Sequence, residues 1–150
     1  MRVLIQRVRK ASVTVDGKVM GSIGHGLVIL AGIGQTDTIE DVKWMADKCI
    51  HLRIFENKEG KFHYSLADVK GEILAVSQFT LFGDCRKGRR PSFSNVAEPE
   101  KAENFYNQYV NMLRDRGIRV ETGVFGAMMQ LEIHNDGPVS IWIDSGEKSF

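Results

Sequence analysis

The chain has 150 residues, 43% of them hydrophobic and 26% charged, with 20 lysines and arginines against 19 acids and a formal net charge of +1. That length supports one domain with a substantial core, and the near-neutral balance excludes a protein that coats nucleic acid through bulk charge, so any RNA contact must come from a local patch. No stretch reaches the roughly 20 apolar residues of a membrane helix, and arginine interrupts the short apolar start MRVLIQRVRK, unlike a signal-peptide core.

Val3, Ile5 and Val8 place a first strand at the start of the chain. Residues 12–15 and 18–20 flank Asp16-Gly17, a dipeptide suited to the positive φ values of a type I′ turn, which predicts a hairpin. Residues 27–30 are apolar throughout and bounded by glycines, as in a buried strand. Thr38 is placed to cap a helix with Glu40 and Asp41 in its first turn. Ile39, Val42, Met45, Ala46, Cys49 and Ile50 then recur at helical spacing. Arg53-Ile54-Phe55 follows, then an Asn-Lys-Glu-Gly turn, then a strand over 73–76. A polar, basic stretch spans 83–96. Pro99 opens a second amphipathic helix with Ala102, Phe105, Tyr106, Tyr109 and Leu113 inward, and Gly117 closes it. Residues 128–133 and 139–143 read as further strands. Two main amphipathic helices among many strands, joined by hairpins rather than regular βαβ alternation, predict an α+β fold. Its β core would be a curved mixed or antiparallel sheet, or barrel-like. Residues 1–150 read as one domain, with 144–150 left open between an ordered end and a loose tail.

Three segments carry candidate chemistry. Ser77-Gln78-Phe79-Thr80-Leu81 leaves a hydrophobic strand, and such an end can present hydroxyls and backbone N–H groups to a cleft, where N–H groups stabilise the oxyanion formed when an ester is attacked. On pattern alone, the segment reads first as the finish of an edge strand with Phe79 and Leu81 in the core. Asn135-Asp136-Gly137-Pro138-Val139-Ser140 contains a Gly-Pro dipeptide that is an ordinary turn former on its own. Arg86, Lys87, Arg89 and Arg90 put four cations in five residues, able to follow a phosphate backbone or simply to form a solvated face. The other chemistries have less support. His25, His51, His63 and His134 lie in unrelated contexts and form no nucleophilic constellation. Cys49 falls on a helix's inner face, where a buried thiol is inert. Cys85, beside Arg86, lacks an identifiable base. The two cysteines make neither a CxxC metal spacing nor a disulfide framework, which fits a reducing cytoplasm.

Taken together, Met1-Arg2-Val3-Leu4-Ile5-Gln6-Arg7-Val8, the 77–81 string SQFTL, Arg90-Pro91-Ser92-Phe93-Ser94 and Asn135-Asp136-Gly137-Pro138 resemble the bacterial-type D-aminoacyl-tRNA deacylases over nearly the whole chain. One position departs: Ser140 stands where that family's GPVT motif has threonine, and the hydroxyl is kept. The resemblance implies chiral proofreading in translation: hydrolysis of D-aminoacyl-tRNA and glycyl-tRNA esters by a homodimer without metal or organic cofactor. It implies that Gly137 and Pro138, joined by a cis bond, are inserted into the partner's pocket. Their carbonyl oxygens would bind the substrate's α-ammonium and crowd out L side chains, with Arg7 holding them. Phe79 and Thr80 would supply oxyanion N–H groups, while Ser77 and Gln78 shape the pocket. Thr80 is either a nucleophile or a positioning residue; positioning is favoured, with the terminal ribose 2′-OH assisting water, because no base adjoins it. Phe125 and Met129 match positions that pack on the terminal adenine, and the 86–90 loop suits the acceptor stem. Two other readings compete with the hydrolase. One is a non-catalytic nucleic-acid-binding module built on the basic loop; the other is a thiol enzyme using Cys85.

Overall fold

A computed structural model of the chain describes residues 1–148. Its first element, β1 (Arg2–Val15), is one long strand rather than the two that the sequence suggests. Val3 and Ile5 enter one apolar cluster, while Val8, Ala11 and Val13 enter another. Simple alternation breaks at that crossing, where Arg9 and Lys10 are exposed. β2 (Lys18–Ile23) returns antiparallel through Asp16-Gly17, whose φ values of 48° and 77° are those the hairpin turn demands. β3 (Gly26–Gly32) pairs antiparallel with the first half of β1. In α1 (Ile39–His51), the Thr38 N–H donates to Asp41 Oδ2 at 2.8 Å, closing the expected cap.

β4 (Phe55–Glu56) and β5 (Phe62–Tyr64) form a separate two-stranded ribbon. After the short α2 (Leu66–Val69), β6 (Glu72–Ser77) runs parallel to β3. α3 (Pro99–Asp115) then leads to β7 (Val120–Thr122), parallel to β6. β8 (Gln130–Asp144) joins the two strands expected over 128–143 and runs antiparallel to β1. The fold is α+β with a mixed, barrel-like sheet, as the composition of elements implies. The connections differ from expectation: β3 to β6 and β6 to β7 are parallel crossovers over helices, not hairpins.

The sheet order is β2-β1-β3-β6-β7, with β8 also on β1. Residues 2–8 of β1 pair with β3 and residues 11–15 with β2, so those two share one edge of β1 and β8 takes the other. The sheet curls until β2 meets β7: a β-carbon on Gly21 would stand 2.9 Å from the Thr122 carbonyl oxygen, an approach that only glycine permits. The buried strands feed both sides of this sheet. Leu27, Ile29, Ile73 and Ala75 pack toward α1 and α3, while Val28, Leu74 and Val76 fill the barrel side. Burial on both faces is why β3 and β6 read as unbroken apolar runs.

Past β8, the Ser145 N–H donates to the Met1 carbonyl at 2.8 Å and Lys148 Nζ lies 2.6 Å from Asp41 Oδ1. Of the 144–150 segment, residues 149 and 150 lie outside the described residues. Among the described residues, no helix is long and apolar enough to cross a membrane.

Candidate active site

β6 stays buried from Ile73 to Val76 and surfaces at Ser77. The Gln78 N–H still donates to the Ala31 carbonyl at 2.8 Å, and the chain then winds into a 3-10 turn over Phe79–Phe82. This corrects the edge-strand reading of 77–81: Phe79 is 55% exposed rather than in the core, and Phe82 supplies the anchor instead. N–H groups at the start of such a turn have no partner within it, so those of Phe79 and Thr80 are available to an oxyanion.

Beside this turn is a cavity of about 790 Å3. Ser77, Gln78 and Phe79 line one wall, and Phe125, Met128 and Met129 form another. The walls come from three stretches far apart in sequence: the end of β6, the segment leading into α3, and the loop before β8. Phe93 closes a third side, its ring 5.1 Å from that of Phe79 in edge contact. Phe93 and Tyr106 line the cavity, yet neither was assigned a site role from sequence. The signal for Phe93 was its place in the Arg90-Pro91-Ser92-Phe93-Ser94 string that carries part of the family resemblance.

Thr80 stands next to the cavity rather than in its lining. The Gln78 side-chain amide donates a short hydrogen bond to its hydroxyl. A donor cannot take the hydroxyl's proton, so this contact orients Thr80 without activating it as a nucleophile. The four histidines are dispersed: His25 against Phe55, His51 with Asp47, His63 against Tyr64, and His134 with Glu132. None lines the cavity. Cys49 is fully buried, and burial pushes its thiol up to about 12. Cys85 is exposed on the basic loop.

Arg7 and the Gly137-Pro138 pair meet at a break in the β1–β8 ladder. Gln6 pairs with Ser140 and Val8 with Asn135, so two steps along β1 span five along β8, and 136–139 leave the ladder opposite Arg7. Buried Arg7 braces this excursion. Its Nε donates to the Asp136 carbonyl at 2.9 Å and its Nη1 to the Ile54 carbonyl at 2.8 Å, while Nη2 reaches Glu56 Oε1 at 3.4 Å. Asn135, given no role from sequence, closes the base of the loop: its Oδ1 accepts from the Val139 N–H at 2.7 Å, and its Nδ2 donates to the Val139 carbonyl at 3.2 Å. Gly137 holds φ +143°, and a β-carbon there would fall 2.8 Å from Val139 Cγ2. The Gly137-Pro138 bond is cis. Both residues are exposed and neither lines the cavity of its own chain.

The basic loop is pinched at its base, where Asp84 and Ser92 exchange backbone hydrogen bonds of 2.8 and 2.9 Å. Arg86 folds back on Asp84, Nη2 to Oδ2 at 2.6 Å, and its hydrogen bonds hold that carboxyl down at about 2. All four cations the sequence groups together are exposed, and Arg86 differs in pairing with Asp84. The loop does not line the cavity, although Phe93 just beyond it does.

The family described as D-Tyr-tRNA(Tyr) deacylase matches residues 4–144. The chain belongs to this deacylase family. It is 57% identical over 149 residues to a D-aminoacyl-tRNA deacylase of Geobacillus sp. (strain WCH70), covering 99% of this chain and 98% of that one. The same identity over 150 residues, with full coverage of both chains, relates it to a D-aminoacyl-tRNA deacylase of Desulfitobacterium hafniense (strain DSM 10664 / DCB-2). Among solved structures, one described as a c-Myc DNA unwinding element binding protein superposes with a TM-score of 0.90 at 42% identity, covering 96% of this chain and 98% of that one. A probable eukaryotic D-amino acid tRNA deacylase shares the deacylase fold, with a TM-score of 0.81 at 20% identity over 95% and 97% of the two chains.

Proposed function

We propose that the chain is an ester hydrolase of translation quality control. It releases D-amino acids from tRNA, and glycine mischarged on tRNA(Ala), working in the cytoplasm as a single-domain homodimer. The observation that carries this reading is the shared cavity: Ser77, Gln78 and Phe79 at the mouth of a 3-10 turn face Phe125 and Met129 across one apolar space. The terminal adenine packs on Phe125 and Met129, which leaves the aminoacyl ester beside the free N–H groups of Phe79 and Thr80. An aminoacyl ester is already activated, so oxyanion stabilisation and a positioned water are sufficient chemistry. Thr80, held by Gln78, positions; the substrate's 2′-OH assists the water. The exposed cations of the 86–90 loop, Lys87, Arg89 and Arg90 foremost, take acceptor-stem phosphates.

Chiral selection needs a second copy. Gly137 and Pro138 are exposed and braced by Arg7, but do not face their own cavity. Their carbonyl oxygens therefore serve the partner's site, accepting from the substrate ammonium and excluding an L side chain. Pairing also suits β8: among the described residues its second edge meets no strand, and 15 residues of open edge call for cover.

The test is deacylation of matched D-, L- and glycyl-tRNAs by wild type and Pro138→Ala. Hydrolysis of D- and glycyl-tRNA only, with selectivity lost in the variant and tRNA affinity kept, is the expected result. A second reading, a nucleic-acid-binding module, draws on the exposed cations and on the DNA-binding description of the 42%-identical structure. It predicts no ester hydrolysis and loss of all function when Arg86, Lys87, Arg89 and Arg90 are neutralised.

A further inference from the structure

A second cavity, of about 380 Å3, lies between α3 and the 122–125 segment, within the size range of ligand sites. It shares two lining residues with the active cavity, Tyr106 and Phe125, so the two lie side by side. Apart from Val110 and Gly123, the other lining residues are polar. Glu103, Asn107, Asn111 and Arg114 form one stripe of α3 at steps of about one helical turn. Nothing in the catalytic scheme above uses them.

We propose that this groove binds the nucleotide 5′ of the terminal adenosine, the cytidine that every tRNA acceptor end carries; the proposal rests on the deacylase reading. Cytosine presents one amino donor beside two acceptors. A carboxylate accepts from the amino group, and carboxamides donate to the acceptors. Glu103 with Asn107 and Asn111 supplies that set on one helix face. Uracil would turn a carbonyl toward Glu103 and leave two acceptors opposed. At the other end, the Arg114 guanidinium is fixed by hydrogen bonds to the Val120 carbonyl at 2.9 and 3.3 Å, which engage two of its five N–H donors. Its charge suits the connecting phosphodiester, about 16 Å along the helix from Glu103. The Phe125 ring lies between the two cavities and offers stacking surface to both bases.

The experiment compares D-tyrosyl esters of adenosine, CpA and UpA as substrates, alongside binding of the free nucleoside and dinucleotides. For wild type, KM for the CpA ester should be at least tenfold below that for the adenosine ester, with UpA giving no such gain. In Glu103→Gln and Asn107→Ala, that CpA advantage should fall at least fivefold. Equal KM values for CpA and adenosine esters, or an advantage that survives in both variants, would overturn the proposal. CpA binding tighter than adenosine without hydrolysis of any D-aminoacyl ester would keep the groove and defeat the deacylase reading instead.

Discussion

Replacing Arg7 by lysine keeps the charge and removes the fork. Arg7 is 6% exposed and bridges two backbone carbonyls, Asp136 at 2.9 Å and Ile54 at 2.8 Å, which belong to β8 and to the residue before β4. A charged donor to an oxygen contributes about 1.5–3 kcal/mol, and a buried acceptor left without one costs a similar amount. A lysine ammonium is a point on a flexible stem and can serve one of these carbonyls, not both. The contact to Glu56, 47% exposed, adds little. Arg7→Lys should therefore cost about 2 kcal/mol, read in urea unfolding as a lower midpoint with an unchanged slope. Where the lysine chooses Ile54, the Asp136–Val139 excursion loses its brace. Hydrolysis of D-tyrosyl-tRNA should then slow while the rate ratio of L to D substrate rises. Unfolding within about 0.5 kcal/mol of wild type, together with an unchanged ratio, would refute the claim that Arg7 holds the selecting carbonyls.

Two further outcomes follow from side chains outside the cavity. Burial alone would raise the Asp41 carboxyl, but hydrogen bonds from Lys148 and from the Thr38 N–H and hydroxyl outweigh it and hold it well below the ordinary value of 3.8. A depressed carboxyl stabilises the fold above that value, and the contribution is lost as pH falls below it. Asp41→Asn, which removes the charge paired with Lys148, should melt earlier than wild type at pH 7, and the gap should shrink below about pH 4; thermal melts that keep a constant gap down to pH 2.5 would contradict this. Alkylation of the folded protein at pH 8 should label Cys85 and spare Cys49, whose thiol is buried and shifted to about 12. Mass spectrometry reads the labelling, and Cys85→Ser should deacylate at the wild-type rate; an inactive Cys85→Ser would revive the thiol enzyme.

The sequence made the longer elements legible where a period or a cap repeats the same message. Thr38 with Asp41, Pro99, Gly117 and the apolar spacing of both helices located α1 and α3, and Asp16-Gly17 located its hairpin. β5, α2 and β7 span three or four residues, too few for any period to register. β1 and β8 each looked like two strands because Arg9-Lys10 and Gly137-Pro138 interrupt the alternation that defines a strand. Of the site, the motif resemblance named Ser77, Gln78, Phe79, Phe125 and Met129, and these do share a cavity. Phe93, quoted in a motif, and Tyr106, read as a helix's inner face, received no site role because what they line is decided by how the segment leading into α3 packs over the end of β6, a tertiary fact with no local pattern. The same holds for Arg86, whose charge looked available until Asp84 claimed it.

The pairing of Arg2 with Asp144 bears on the order of synthesis. β1 is made well before β8, and one of its edges is finished only by residues more than a hundred positions later. Until then Val8, Ala11 and Val13 have no Leu131 or Ile133 to pack against. Contacts this distant close slowly, so the barrel side of the molecule is completed only once β8 has been made, while the helical layer around α1 can assemble earlier on β3 and the first half of β1.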